Sequence, residues 1–213
     1  MRVTRSTPPL TIMSADAELA EMECGDNEWL TDIKRQAQRL TKLTNDLIYL
    51  SRMEEEQPKL QLIEFPISDV VEELAHSFQG PARQQGKELT MNLQPMLSFT
   101  GDEKAIRQLV SILLDNALKY APSKGRIDLS LKREARGVKL TVSNTTAQPV
   151  EQGKLNLLFD RFYRTDQSRN SETGGYGLGL SIAQSIVAAH KGKIRADSTN
   201  GSTLTITVIL PTP

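Results

Sequence analysis

Between Leu30 and Met53 the apolar residues Leu30, Ile33, Ala37, Leu40, Leu43, Leu47, Leu50 and Met53 recur every three or four positions, with Lys, Arg, Gln and Asp between them. That period belongs to a long amphipathic helix, which needs something to cover its apolar stripe. A shorter helical pattern (Leu10, Ile12, Met13, Leu19, Met22) precedes it, and Gly25-Asp26-Asn27 supplies a turn between the two. The expected unit is a helical hairpin with more apolar surface than two helices can hide from each other. Pairing with a second copy as a four-helix bundle is the expected solution, and packing on the rest of the same chain is the alternative.

Pro58 interrupts the helical period, and from Leu60 the pattern becomes short strands mixed with helices. A boundary near residue 57 follows, giving a hairpin over residues 1–57 and a second domain over residues 58–213. In the second domain strands are expected at Lys59 to Ile63, Leu89 to Leu93, Leu97 to Phe99, Arg126 to Arg133, Val138 to Ser143, Lys193 to Asp197 and Thr203 to Leu210. Helices are expected at Ile67 to Gln85, Asp102 to Tyr120 and Leu178 to His190. Strands and helices without strict alternation indicate an α+β fold, with helices layered on one sheet. The stretch from Thr145 to Gly175 reads as irregular, and a loop of that length in a compact domain is usually a lid or a binding loop.

Lys plus Arg and Asp plus Glu number 26 each, so the chain has no basic excess and nucleic acid is not an expected partner. Cys24 is the only cysteine, which rules out an internal disulfide, suits a reducing compartment and leaves no Cys/His cluster to hold zinc. The two histidines, His76 and His190, read as surface residues, the second at a helix C-terminus where a cation meets the helix dipole favourably. No apolar run approaches the roughly 20 residues of a membrane helix, and the start lacks the pattern of a signal peptide, so the chain reads as soluble.

Several stretches could carry chemistry. In "LLDNALKY", Asn116, Lys119 and Tyr120 stand at i, i+3 and i+4, which puts an amide, a cation and an aromatic hydroxyl on one helix face. An amide can ligate Mg²⁺, a lysine can neutralise phosphate and a ring can line a base pocket, but for this stretch alone a solvated face on an ordinary helix is the preferred reading. In "LTVSNTTAQ" a strand runs into a polar turn at Asn144, whose side-chain carbonyl could accept from the exocyclic amine of adenine, or could simply form the turn. "LFDRFYR" sets three aromatics among Asp160, Arg161 and Arg164; the aromatics are expected to anchor the loop, leaving an arginine to reach phosphate. Finally, Gly174, Gly175, Gly177 and Gly179 lead straight into a helix. Unpaired N–H groups of a first helical turn can bind polyphosphate, and glycines let it approach. Leu178 and Leu180 would seat that turn on the core. Neither the Rossmann nor the Walker pattern fits.

Taken in order, Asn116-x-x-Lys119-Tyr120, the strand-end Asn144, "FDRFYR" and "GGYGLGLSIA" resemble the nucleotide-binding boxes of sensor histidine kinases of two-component systems. The resemblance spans residues 10 to 212, because the hairpin is similar to the family's dimerisation and phosphoacceptor domain, and "TPPLTIMSADAEL" to the stretch after its phosphorylated histidine. It implies a Bergerat-type fold, a mixed sheet under three helices with a mobile lid. It also implies transfer of the γ-phosphoryl group of ATP to a histidine and then to an aspartate of a response regulator receiver domain. By this likeness Asn116 would hold Mg²⁺, Lys119 and Arg164 the phosphates, Tyr120 the nucleotide edge and Asn144 the adenine amine. Gly175, Gly177 and Gly179 would form the turn at the phosphates, with Thr146, Leu178 and Leu180 beside them in the ATP-binding set. The implied whole is a homodimer through the hairpin, the cytoplasmic portion of a protein anchored in the cell membrane.

Three departures from the family stand out. The His-Glu pair expected before Thr-Pro-Leu falls within Val3-Thr4-Arg5-Ser6, which contains no histidine, so no catalytic acceptor is expected in this chain and an altered or truncated start is the simplest account. Ile112 occupies the position one turn before Asn116 where many relatives carry an amide or a histidine, and where hydrolytic ATPases of the same fold carry a water-activating glutamate. Asn144 replaces the usual aspartate, and Thr146 a glycine beside it. The amide loses the charge-assisted bond, about 1 kcal/mol or more, so weaker nucleotide affinity is expected. The alternative to a kinase core is a catalytically silent dimeric interaction module with the same fold; a hydrolytic ATPase comes third, and Ile112 argues against it.

Overall fold

The computed structural model describes residues 8–25, 27–53, 55, 59–135, 137–164, 176–198 and 201–211. The chain forms two compact units, Met1–Arg52 and Met53–Pro213. The start of the chain around Val3 to Ser6, Pro58 and the glycines at 174 and 175 lie outside the described residues.

In the first unit α1 (Pro8–Cys24) and α2 (Glu28–Met53) form a hairpin. Gly25 turns the chain at φ 77°, and the Asn27 side chain accepts from the Trp29 N–H at 2.8 Å, satisfying a donor of the first turn of α2. Lys34 of α2 reaches back to Glu21 of α1 at 2.5 Å, which fixes the register of the two helices. Ala17, Ala37 and Leu50 are buried, whereas Ile12, Met13, Leu19, Met22, Ile33, Leu40 and Leu47 remain exposed. Within this unit, then, much apolar surface stays open to solvent.

The second unit is built on a mixed five-stranded sheet in the order β2-β4-β5-β7-β6. Its strands are β2 (Glu88–Leu93), β4 (Arg126–Glu134), β5 (Gly137–Thr145), β6 (Lys193–Asp197) and β7 (Thr203–Pro211). β2 and β4 are parallel and the other neighbours antiparallel. A separate antiparallel pair joins β1 (Leu62–Pro66) to β3 (Ser98–Asp102). Three helices cover the sheet: α3 (Ile67–Gln84), α4 (Glu103–Tyr120) and α5 (Gly179–Ala189). Strand alternation makes the core: Ile127, Leu129 and Leu131 of β4, Val138, Leu140 and Val142 of β5, and Leu204, Ile206, Val208 and Leu210 of β7 are all buried on the helix side.

Helix and strand types follow the sequence, with differences in place that have local causes. The first strand lies at Leu62–Pro66 rather than Lys59 to Ile63, because Phe65 is its one buried residue and pairs with Phe99, ring against ring at 6.0 Å. The third runs on to Asp102 instead of stopping at Phe99, since that partner strand extends it. Asn144 stands inside β5 rather than in a turn, paired with Ile127 and Leu204 on either side. The stretch after it carries two short 3₁₀ turns, Gln152–Lys154 and Asn156–Phe159.

His190 is the clearest correction: it is buried rather than a surface residue, with 8% of its area exposed. Its Nε2 accepts from the Asp102 N–H at 3.0 Å, which fixes the tautomer, and Nδ1 donates to the Ile186 carbonyl at 2.8 Å. Asp102 in turn caps α4, accepting from the Ala105 N–H at 3.0 Å, and accepts from the Gln61 N–H at 3.0 Å. One histidine therefore joins the end of α5 to the start of α4. His76 is exposed and lies 3.7 Å from Glu72, one turn away.

Arg107 ties α4 to α3, with Nη2 2.9 Å from Glu73 and Nε 2.8 Å from Glu103. The hydrogen bond and charge of Arg107 hold the Glu73 carboxyl below its ordinary pKa. A carboxylate depressed in the folded state stabilises above its unfolded pKa and loses that contribution as pH falls through the folded one. Glu73→Gln is therefore expected to melt slightly below the wild type at neutral pH, with the two melting curves merging under acid. His190→Ala strands the Asp102 N–H and should cost about 1–3 kcal/mol in denaturant unfolding.

Candidate nucleotide-binding site

The last turn of α4 carries Asn116, Lys119 and Tyr120, all half-buried, because Leu113, Leu114, Ala117 and Leu118 between them face the core. Lys119 Nζ sits 5.3 Å from the centroid of the Tyr120 ring, within cation–π range. The helix ends at Ala121, whose backbone turns extended (φ −65°, ψ 136°), and the loop to β4 closes on Gly125. A Cβ at Gly125 would meet the Pro122 carbonyl at 2.7 Å and Thr145 Oγ1 at 2.8 Å, so the loop lies directly against the end of β5.

On β5, Asn144 ends a buried column that begins with Val138, Leu140 and Val142. It is 3% exposed, and its Nδ2 donates to the Thr145 carbonyl at 2.8 Å. Only the amide nitrogen can donate to a carbonyl, so the amide's orientation is set and Oδ1 is left as the acceptor. Thr146 follows, its N–H on the Ser202 carbonyl at 2.8 Å and its hydroxyl 3.4 Å from the Gly201 carbonyl. Thr146 thereby anchors the strand end to the β6–β7 turn.

Of the aromatics in "LFDRFYR", Phe159 is buried, Tyr163 half-buried and Phe162 60% exposed. Only Phe159 anchors the segment in the core, which corrects the expectation for Phe162. Arg164 is half-buried beside Tyr163. The chain is clasped where it returns: the Phe162 N–H donates to the Gly177 carbonyl at 3.0 Å. Gly177 has φ +74°, and a Cβ there would meet the Tyr163 carbonyl at 2.8 Å. Glycine is therefore required at 177 by backbone geometry and close packing.

Gly179 is different. It opens α5, and a Cβ there would meet Ile112 Cγ2 at 3.4 Å, an ordinary contact. Leu178 and Leu180 are buried on either side, and no side chain caps the first turn of α5. The structure thus packs α4 against both β5, which ends near Asn144, and α5, which begins at Gly179; Gly175 lies outside the described residues. Sequence reasoning missed the Phe162–Gly177 clasp, and no periodic signal marks it.

Residues 101–213 match the family described as histidine kinase-, DNA gyrase B- and HSP90-like ATPases. The chain belongs to that family. It is 33% identical over 188 residues to the sensor protein DltS of Streptococcus agalactiae, covering 88% of this chain and 47% of DltS. With the signal transduction histidine-protein kinase BaeS of Escherichia coli it shares 34% over 184 residues, covering 86% of this chain and 39% of BaeS. The chain thus spans less than half the length of these relatives. Full-length ShkA in complex with AMPPNP has the same fold, with a TM-score of 0.83 at 23% identity over 96% of this chain and 43% of ShkA. Among the described residues no helix is long and apolar enough to cross a membrane.

The two glycines separate in a simple experiment. Gly177→Ala should lose about 1–3 kcal/mol of stability through its left-handed backbone, whereas Gly179→Ala should melt with the wild type. Thermal unfolding of both variants reads the difference.

Proposed function

We propose that this chain is the kinase core of a sensor histidine kinase, which binds Mg²⁺-ATP between α4, β5 and α5 and passes the γ-phosphoryl group to a histidine. The observation that carries this reading is Asn144, a carboxamide buried at the end of an apolar strand column with Nδ2 occupied and Oδ1 left to accept. An adenine exocyclic amine is a donor of the matching kind. The phosphates then meet the first turn of α5, where Gly179 has no packing reason to be glycine and backbone N–H groups suit an anion. Lys119 and Arg164 add positive charge to the phosphates and Tyr120 borders the nucleotide, with Thr146, Gly177, Leu178 and Leu180 shaping the walls. Gly175, from the same glycine-rich stretch of sequence, belongs to the proposed ATP-binding set.

Asn116 is the candidate ligand for Mg²⁺, a hard-oxygen donor on the half-buried last turn of α4. Among the described residues no three His, Cys, Asp or Glu side chains gather around a metal. One amide oxygen together with phosphate oxygens suits Mg²⁺, which favours substrate-held sites over protein cages. When bound, the ion neutralises phosphate charge. The protein's own contribution is positioning: the amide, the lysine and the backbone donors hold the phosphate chain in line for attack by an external nucleophile.

The acceptor histidine is absent from Val3 to Ser6 and has to come from elsewhere, with relay to the aspartate of a response regulator receiver domain. The uncovered apolar residues of α1 and α2, Ile12, Met13, Leu19, Ile33, Leu40 and Leu47 among them, support a homodimer through residues 1–57 as a four-helix bundle. The relatives' greater length and their sensor names support a cytoplasmic kinase portion of a membrane-anchored protein. The silent-module alternative draws less support, because the half-buried Ile112 stands on the helix that packs against α5, a structural place that does not imply a lost function.

Calorimetric titration with ATP tests the proposal. Binding is expected to require Mg²⁺ and to be lost in Asn116→Ala and Lys119→Ala. No heat at millimolar ATP from a folded protein would put the silent module in its place.

A further inference from the structure

The end of α4 carries a defect that another part of the chain repairs. In a helix the Leu118 carbonyl would accept from the N–H of residue 122, but that residue is Pro122 and has no N–H. The preceding carbonyl is conventionally paired, Ala117 accepting from the Ala121 N–H at 3.0 Å. Leu118 is itself buried. The missing donor arrives from the corner between α3 and β2, where Lys87 Nζ lies 2.5 Å from the Leu118 carbonyl and 2.9 Å from Gln85 Oε1.

The same corner grips the loop that follows α4. The Lys124 N–H donates to the Gly86 carbonyl at 3.0 Å, and the Glu88 N–H to the Gly125 carbonyl at 3.0 Å. Lys87 is thus the charged member of a clamp on the segment from Leu118 to Gly125. Its ammonium also lies at the negative end of the α4 dipole. Burial of the Lys87 ammonium lowers its pKa.

We infer that Lys87 is a positioning residue for the nucleotide site: by donating to the Leu118 carbonyl it holds the last turn of α4, and with it Asn116, Lys119 and Tyr120, in binding geometry. The inference rests on the nucleotide-binding reading given above. Lys87 acts through the backbone of α4, at the Leu118 carbonyl. Its stem lines an open cleft of about 370 Å³ shared with Gln79, Arg83, Gly86, Glu88 and Leu89, so shortening or neutralising it leaves no sealed void.

ATP titration of the full chain at a temperature well below melting is the test, with Lys87→Met, Lys87→Arg and, on the same cleft, Arg83→Met. Lys87→Met is expected to weaken ATP binding about tenfold, the size of one hydrogen bond to a charged group. Lys87→Arg, which restores a charged donor, should recover most of the affinity, and Arg83→Met should bind as the wild type does. If folded Lys87→Met binds ATP like the wild type, or if Lys87→Arg binds as weakly as Lys87→Met, the inference is overturned. Should Lys87→Met melt below the assay temperature, Lys87→Gln replaces it under the same criterion. Wild-type protein that binds no ATP would instead overturn the nucleotide-binding reading, a result distinguishable from the failure of Lys87 alone.

Discussion

The buried face of α4 sets the position of everything around the site. Ala105, Ile106, Leu109, Val110, Leu113, Leu114, Ala117 and Leu118 all turn inward. Fully burying a side chain the size of leucine or isoleucine contributes about 1.5–3 kcal/mol, so rotating this helix to expose them would cost more than any polar contact at the site returns. Helical geometry then leaves Asn116, Lys119 and Tyr120 no choice of direction. Their placement follows from hydrophobic burial, and their chemistry is added at the rim.

The polar groups inside the fold serve a different purpose from the apolar ones. His190 and Asp102 close a joint in which each buried donor and acceptor has a partner, and Gly101 keeps the approach open, since a Cβ there would run into the Phe99 ring and meet His190 Cδ2 at 3.0 Å. That arrangement is structural. Asn144 is equally buried, yet only one side of its amide is paired within the chain. An apolar residue would continue the column of Val138, Leu140 and Val142, so packing alone does not call for an amide at this place. Retaining asparagine there makes sense when an incoming ligand brings the donor.

Sequence reasoning reads what local periodicity encodes and misses what distant residues decide. The long helices were legible because their apolar faces repeat over several turns, and the central strands because Arg126 to Glu134 and Gly137 to Thr145 alternate against a buried layer. β1 was misplaced because Leu62 and Ile63 are both exposed, so apolarity there does not report an inward face. Asn144 looked like a turn because asparagine favours turns, but pairing with Leu204, 60 positions away in the chain, carries the strand through it. His190 looked like a surface residue because nothing nearby in the chain reveals Asp102 as its partner. Lys87 had one usable clue, the proline four residues after Leu118, which announces a carbonyl in need of a donor without saying which side chain supplies it.

The seam between α4 and α5 bears on which phosphoryl acceptor such a site would serve. Ile112 stands half-buried on the helix that packs against α5, so the position one turn before Asn116 carries a hydrocarbon side chain. Water attack needs a base placed to orient and deprotonate it, and a branched hydrocarbon can do neither. A site with phosphate donors but an apolar wall where a base would stand favours holding ATP intact until another nucleophile arrives. A histidine imidazole brings its own lone pair and needs no hydroxyl to be deprotonated. The isoleucine that looks like a missing ligand in the sequence therefore does not weigh against the proposed transfer to a histidine.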